Sequence, residues 1–114
     1  MQRDTLDDID LTRAAAAFSA LGSEQRLQVL RVLVRAGPEG LSIGELGRRS
    51  GITGSTLTHH MKTLTAAGLV EQVRQGRTII CIAADYERMR QLSDFLLKEC
   101  CADCGPEKQI TDNV

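Results

Sequence analysis

The segment ITGSTLTHHMKTLTAAGLVEQVRQGRTIICIAA, residues 52–84, changes its pattern of apolar residues halfway along. Its first part, residues 52–68, begins with the helix-capping residue Thr53 and carries apolar side chains at helical spacing: Leu57, Met61 and Leu64. Its second part, residues 69–84, is rich in valine and isoleucine on both sides of Gly76. Because such runs around a glycine turn are typical of β-hairpins, the segment predicts a helix followed directly by a hairpin.

Three further helices are predicted before this segment. Residues 9–21 are rich in alanine, and residues 24–36 carry leucine and valine at helical spacing after a capping serine. Ser42 and Glu45 have the spacing of a capping box, which predicts a short third helix that ends near Gly51. Two helices across this tight turn, followed by a hairpin, are typical of a winged helix-turn-helix.

The remainder of the chain completes the predicted architecture. Residues 85–104 return to helical periodicity before a Gly-Pro stop. The fold class is therefore mainly α with a small β-hairpin (α+β), in the order helix, helix, short helix, helix, hairpin, helix. We expect a frayed acidic N-terminus over residues 1–9, one winged helix-turn-helix domain over residues 10–104, and a disordered tail over residues 105–114.

Length, composition and charge narrow the classes of function. The 114 residues suffice for one small domain, and no apolar run approaches the roughly 20 residues of a membrane span, so we expect a cytoplasmic protein without membrane contact. No Ser/His/Asp or Cys/His arrangement and no Gly-rich phosphate loop is evident, which argues against an enzyme and against an organic cofactor. Residues 22–80 carry eight basic and four acidic side chains between acidic ends, which fits a nucleic-acid face in the middle of the chain.

The candidate DNA-contacting residues surround the predicted helix-turn-helix. The outward side of the helix in residues 52–68 carries hydroxyls, one imidazole and one ammonium group but no carboxylate: Ser55, Thr56, His59 and Lys62. Such groups reach phosphates and base edges without repelling a polyanion, although an ordinary solvated helix face has the same composition. Arg74 and Arg77 flank the hairpin turn, and Arg48 and Arg49 close the short third helix, where they are candidate phosphate contacts. His60, beside the apolar stripe, is predicted to pack inward.

Two segments carry a resemblance to a known family. STLTHHMKTLTAAGLVEQVRQGRTIICIA and ALGSEQRLQVLRVLV resemble the ArsR/SmtB family of bacterial metalloregulatory repressors, over roughly residues 12–100. The resemblance implies a homodimer, formed through the first and last helices, that binds an inverted-repeat operator in double-stranded DNA and leaves it when an inducer binds. The positions that match the family's DNA-reading residues are Ser55, Thr56, Thr58, His59 and Lys62.

The resemblance alone does not fix the inducer, because the family's sensing sites vary in position. The third helix contains no cysteine and the last helix no histidine, so the best-known arsenic and zinc sites of the family are absent. KECCADCGPEK, residues 98–108, holds three of the four cysteines: Cys100, Cys101 and Cys104, hereafter the thiol cluster. If the last helix continues to residue 104, these thiols lie within one arc, with neighbouring Cβ atoms about 5–6 Å apart.

Three soft thiolates suit a pyramidal three-coordinate ion such as trivalent arsenic or antimony. Zinc would require a fourth ligand, for which Asp103 is available. The thiol cluster resembles that of an arsenic-responsive subset of the family, which predicts a repressor induced by arsenite, an organoarsenical or antimonite. A thiol redox or persulfide switch, another soft metal, and a winged-helix protein-interaction module remain alternatives. Cys81 is predicted to be a small buried residue of the hairpin.

Overall fold

A computed structural model describes residues 9–105 of the chain. It contains helices α1 (Leu11–Ala20), α2 (Glu24–Ala36), α3 (Ile43–Ser50), α4 (Gly54–Ala66) and α5 (Tyr86–Leu97), and strands β1 (Leu41–Ser42), β2 (Val70–Gln75) and β3 (Thr78–Ala83). The strands form an antiparallel sheet in the order β1-β3-β2, and the β2–β3 hairpin is the wing. This arrangement confirms the predicted winged helix-turn-helix. The expected frayed N-terminus and disordered tail lie outside the described residues, apart from Ile9 and Gly105.

Polar side chains start most of the helices. The side chains of Asp10, Ser23, Ser42 and Asp85 each accept a hydrogen bond from the backbone N–H three residues later. These contacts satisfy amide groups that have no partner within the helix. Thr53 is the N-cap residue of α4, as predicted, but its hydroxyl makes no capping hydrogen bond.

The third strand of the sheet was not predicted. Leu41 and Ser42 pair with Cys81 and Ile80, so that β3 becomes the central strand. Ser42 has a second role, because its hydroxyl accepts the Glu45 N–H at 3.1 Å and begins α3. The base of the wing is therefore joined directly to the first helix of the helix-turn-helix.

The core is aliphatic and lies between the helices and one side of the sheet. Its most completely buried side chains come from three helices and strand β3: Val29, Leu33, Leu46, Met61, Leu64 and Cys81. The predicted stripe on α4 is confirmed, since Leu57 is buried beside Met61 and Leu64. Cys81 is wholly buried, as predicted, and burial raises the pKa of its thiol. Among residues 9–105, no helix has the length and apolar character needed to cross a membrane.

The predicted extent of the last helix is wrong. Helix α5 ends at Leu97, and the chain continues in tight turns in which the N–H groups of Cys100, Ala102 and Cys104 each bond to the carbonyl three residues earlier, at 2.9, 3.0 and 3.0 Å. Cys101 takes a positive φ of 65°, which an α-helix does not allow. Because this end of the chain is exposed, no core packing offsets the entropy cost of further helical turns.

Candidate nucleic-acid interface and thiol cluster

One side of α4 is buried and the other is available to a partner. The five side chains assigned to DNA contact are all exposed: Ser55, Thr56, Thr58, His59 and Lys62. The Thr58 hydroxyl donates to the Gly54 carbonyl at 3.3 Å, so its oxygen still accepts from a partner. No carboxylate occurs on this helix, and the exposed face therefore has hydrogen-bonding capacity without negative charge.

The start of α4 has an unusual backbone. Gly54, its first residue, has a φ of +66°, and Thr53 before it supplies no side-chain hydrogen bond. The first-turn N–H groups of α4 are consequently not occupied by a cap, and such groups bind phosphate oxygens well. This end of α4 lies next to the two hydroxyls of Ser55 and Thr56.

His60 connects the inner side of α4 to α2. The side chain is only 8% exposed, and its Nε2 lies 2.9 Å from Gln25 Oε1. Its Nδ1 is buried and has no hydrogen-bond partner within residues 9–105. Burial, with smaller contributions from Arg26 and His59, lowers the pKa of His60. The prediction that His60 packs inward is confirmed, whereas its partner Gln25 was missed.

Acidification is expected to destabilise the domain through His60. Because the pKa of His60 is lower in the folded chain than its ordinary value near 6.5, the unfolded chain takes up a proton first as the pH falls. The stabilising contribution of neutral His60 is thus present above about pH 6.5 and is lost as the pH falls through the lower folded pKa. Urea unfolding at pH 7.5 and pH 5.5 should show this loss for the wild type. His60→Gln should reduce the pH dependence and the exposed-site control His59→Gln should not; equal pH dependence in all three would contradict the assignment.

The tip of the wing carries two arginines. Arg74 lies near the end of β2, opposite Ile79, and Arg77 lies in the turn after Gly76. Neither guanidinium has a carboxylate partner within residues 9–105. Both charges are therefore available to a polyanion that meets the wing.

The two arginines of α3 have a different environment. Arg49 Nε donates to Glu45 Oε2 at 2.8 Å, and Arg48 Nε donates to Glu45 Oε1 at 3.0 Å, with Arg48 Nη2 on the same oxygen. These contacts hold the pKa of Glu45 below its ordinary value, with the Arg49 hydrogen bond as the largest cause. The predicted phosphate contacts of α3 are thus already paired in the free protein. The sequence shows the spacing of these residues, but not that one carboxylate serves both arginines.

The thiol cluster is only partly assembled. Cys100 Sγ and Cys101 Sγ lie 3.3 Å apart, and the neighbouring Cys101 sulfur raises the pKa of the Cys100 thiol. All four cysteines fall within the described residues, and none is in a disulfide. In residues 9–105 no three His, Cys, Asp or Glu side chains are gathered closely enough to hold a metal ion. Cys104 nevertheless makes a small contribution to the raised pKa of the Cys100 thiol. The helical arc expected for the three thiols is wrong, because α5 ends before them.

An apolar surface on α1 and α5 remains exposed. Leu92 of α5 is buried in the core, but several large side chains of the two helices are exposed: Leu11, Phe18, Tyr86, Leu96 and Leu97. Leu96 and Leu97 are 67% and 66% exposed, immediately before the turns that carry the thiol cluster. Within residues 9–105, both terminal helices thus carry large apolar side chains that are exposed.

Comparison with known proteins identifies the class of protein. A helix-turn-helix domain family model matches residues 21–73. The HTH-type transcriptional regulator YceK of Bacillus subtilis is 39% identical over 74 residues, which cover 65% of this chain and 73% of YceK. The transcriptional activator HlyU of Vibrio cholerae is 33% identical over 75 residues, which cover 66% of this chain and 67% of HlyU.

Solved structures agree with the sequence relatives. HlyU of Vibrio cholerae superposes with a TM-score of 0.61 at 28% identity, covering 79% of this chain and 94% of HlyU. An ArsR-like transcriptional regulator from Rhodococcus sp. RHA1 gives 0.63 at 28% identity, covering 81% and 82%. A homodimeric winged helix-turn-helix domain of Mycobacterium bovis shares the fold at 24% identity, with a TM-score of 0.62 and coverage of 78% and 82%. By its fold, its acid-free α4 face and these relatives, the chain belongs to the ArsR family of winged helix-turn-helix transcriptional regulators.

Proposed function

We propose that this regulator is a homodimeric repressor that leaves its operator when trivalent arsenic or antimony binds the thiol cluster. The observation that carries the proposal is the approach of Cys100 Sγ to Cys101 Sγ, 3.3 Å apart, directly after the exposed apolar end of α5. Two adjacent thiolates match the soft ligands that a trivalent arsenic or antimony ion prefers. An ion that reaches for a third sulfur would draw Cys104 toward the pair and reshape the turns after α5.

The DNA half of the proposal rests on α4 and the wing. In a helix-turn-helix the second helix enters the major groove, and the exposed face of α4 offers donors and acceptors to base edges there. Arg74 and Arg77, which have no carboxylate partner in the described part of the chain, extend the positive surface to the wing, where a guanidinium binds phosphate or a narrow minor groove. Double-stranded operator DNA with an inverted repeat is the partner that two such surfaces related by a two-fold axis would recognise.

The dimer half of the proposal rests on α1 and α5. A terminal helix pair with exposed Leu11, Phe18, Leu96 and Leu97 has the composition of a self-complementary interface. The Mycobacterium bovis domain of the same fold is a homodimer. Because the thiol cluster follows α5, a change in its turns would alter the angle between protomers and the spacing of the two α4 helices.

A thiol redox switch is the second candidate, and the same 3.3 Å separation favours it. The Cys100 and Cys101 thiols would lose two protons and two electrons to form one S–S bond, while hydrogen peroxide takes them up and becomes two water molecules. One structure of the relative HlyU from Vibrio cholerae is of its reduced form. Persulfide formation on the same sulfurs is a related alternative, in which a polysulfide would transfer one sulfane sulfur to a thiol and leave shortened by that sulfur.

Arsenite is expected to weaken DNA binding by the reduced wild-type dimer by about 5- to 150-fold, the range of ordinary allosteric coupling. Fluorescence anisotropy of the protein's own promoter DNA measures the release, in excess phosphine reductant so that oxidation does not contribute. Cys100→Ser and Cys101→Ser should bind DNA normally and no longer respond to arsenite, and Cys104→Ser tests the third ligand.

Asp103→Asn is the matched control for this experiment, because it changes the same turn without removing a sulfur. It should respond to arsenite like the wild type. If all three serine variants still release DNA on addition of arsenite, the inducer site is elsewhere. If arsenite has no effect but peroxide releases the wild type without reductant, the redox alternative replaces the metal-sensing proposal.

A further inference from the structure

Glu45 lies between two arginines on the exposed side of α3. Oε2 accepts from Arg49 Nε at 2.8 Å and Oε1 accepts from Arg48 Nε at 3.0 Å, so one carboxylate serves two guanidiniums. We call this group of three the Glu45 clasp. It combines an i,i+3 and an i,i+4 pair, the two spacings at which helical side chains meet.

The clasp halves the charge that α3 presents. Two guanidiniums and one carboxylate have a net charge of +1, where the arginines alone would have +2. The Arg48 and Arg49 side chains are 71% and 52% exposed and the Glu45 side chain is 32% exposed, so solvent and a large partner reach all three. The lowered pKa of Glu45 keeps the carboxylate ionised near neutral pH, so protonation does not release the arginines.

The position of the clasp is fixed by the fold. The Glu45 N–H donates to Ser42 Oγ at 3.1 Å, and the adjacent Leu46 is completely buried. Only residues 51–53 separate α3 from α4. In a helix-turn-helix the first helix crosses the DNA backbone while the second reads the groove, so the clasp of α3 meets the phosphates.

We propose that Glu45 competes with DNA phosphates for Arg48 and Arg49, and thereby limits the sequence-independent affinity of this protein for DNA. The inference rests on the DNA binding proposed above. A phosphate that approaches α3 meets guanidiniums whose Nε donors already have an anionic partner, and the carboxylate repels it. Fewer counterions are therefore displaced from DNA than two unpaired arginines would displace.

A competitor of this kind favours base readout over backbone attraction. Phosphate contacts raise affinity for every sequence equally, whereas contacts from α4 to base edges distinguish sequences. Glu45 would weaken the phosphate contacts without changing the contacts between α4 and the base edges. It would therefore reduce the fraction of protein bound to non-operator DNA. Neither Arg74 nor Arg77 has such a partner within residues 9–105, so the competition is confined to α3.

The variant Glu45→Gln tests the proposal, because it keeps the side-chain shape and removes the charge. Its affinity for a random-sequence duplex, measured by anisotropy between about 50 and 200 mM salt, should be about 3- to 10-fold higher than that of the wild type. The plot of log affinity against log salt should steepen by about 0.9 for each additional phosphate that the protein neutralises. Glu87→Gln, the same charge change on exposed α5, controls for net charge and should leave the salt slope unchanged.

A double-mutant cycle separates local competition from other effects. In the background Arg48→Ala/Arg49→Ala, Glu45→Gln should raise DNA affinity much less than it does in the wild type, since there are no arginines to release and only the direct repulsion by the carboxylate is removed. Weaker binding by Glu45→Gln would show that the carboxylate orients the arginines for DNA and would overturn the proposal, as would an unchanged affinity and slope. If the wild type itself shows no salt-dependent binding to DNA, the proposed DNA-binding function fails together with this inference, a result distinct from the other two.

Discussion

Gly40→Ala is expected to lower the free energy of unfolding by about 2–5 kcal/mol, the sum of a backbone and a steric penalty. Gly40 precedes β1 and has a φ of +71°, a region that costs alanine about 1–2 kcal/mol. An added Cβ would lie 2.4 Å from the Cys81 carbonyl oxygen and 2.7 Å from Ile82 Cγ1. Cys81 is on the central strand, paired with both neighbouring strands, so its backbone does not move aside without breaking the sheet. The remaining penalty is that of an overpacked site, about 1–3 kcal/mol.

Gly51→Ala is the matched control for this prediction. Gly51 also has a positive φ, of 78°, but apart from its two chain neighbours an added Cβ there would meet no atom of residues 9–105 within 4 Å. The expected loss is therefore the backbone penalty alone, about 1–2 kcal/mol. Urea unfolding followed by circular dichroism measures both variants. Equal losses for Gly40→Ala and Gly51→Ala would show that the contact with β3 has no energetic consequence.

Removal of both wing-tip arginines is expected to weaken DNA binding about 100-fold at moderate salt. Arg74 and Arg77 have no carboxylate partner within residues 9–105, so each alanine removes an available cation and leaves no charge unpaired. Because each protomer of the variant would neutralise two fewer phosphates, the salt dependence should also flatten by about 0.9 for each of them. Anisotropy with promoter DNA and with a random duplex measures both quantities.

The double variant Arg31→Ala/Arg35→Ala controls for net charge. It removes two exposed arginines that belong to α2 rather than to the wing, and should change DNA affinity much less. Both double variants should keep the circular dichroism spectrum of the wild type, because none of the four side chains is buried. If the two double variants weaken DNA binding equally, the loss of overall positive charge, rather than the loss of charge on the wing, would account for the effect.

The features that could be predicted from the sequence depend on nearby residues. The helix with Leu57, Met61 and Leu64 and the hairpin around Gly76 each follow from a periodic pattern within one segment. The capping role of Ser42 is likewise local, since its partner is three residues away. The exposure of the five assigned α4 side chains follows from the burial of the opposite stripe.

The features that were missed depend on distant partners or on the absence of packing. Strand β1 has two residues and pairs with Cys81 and Ile80, about forty positions later, so no local pattern reveals it. The contact between His60 and Gln25 likewise joins residues that are far apart in the sequence, so no local pattern reveals it. Helical periodicity continues past Leu97 in the sequence, but the chain there has no core to pack on, and the helix ends.

The thiol cluster shows the same division within the candidate site. Cys100 and Cys101 are neighbours in the sequence, so their place in one turn could be predicted. Adjacent side chains on a helix do not face each other, and the 3.3 Å approach of the two sulfurs occurs in the turns after α5, where Cys101 has a positive φ. The position of Cys104 relative to this pair was inferred from helical angles. Because α5 ends at Leu97, those angles do not apply to it. Its role as a third ligand stays a prediction.

The double role of Ser42 has a mechanical consequence. This residue pairs with Ile80 in the sheet and caps α3. One residue therefore connects the base of the wing to the first helix of the helix-turn-helix. Because no linker lies between them, a displacement of the wing is expected to move α3 with it. In the proposed dimer, each winged helix-turn-helix would then move as one unit, and an adjustment between the two units on DNA would occur in the terminal helices.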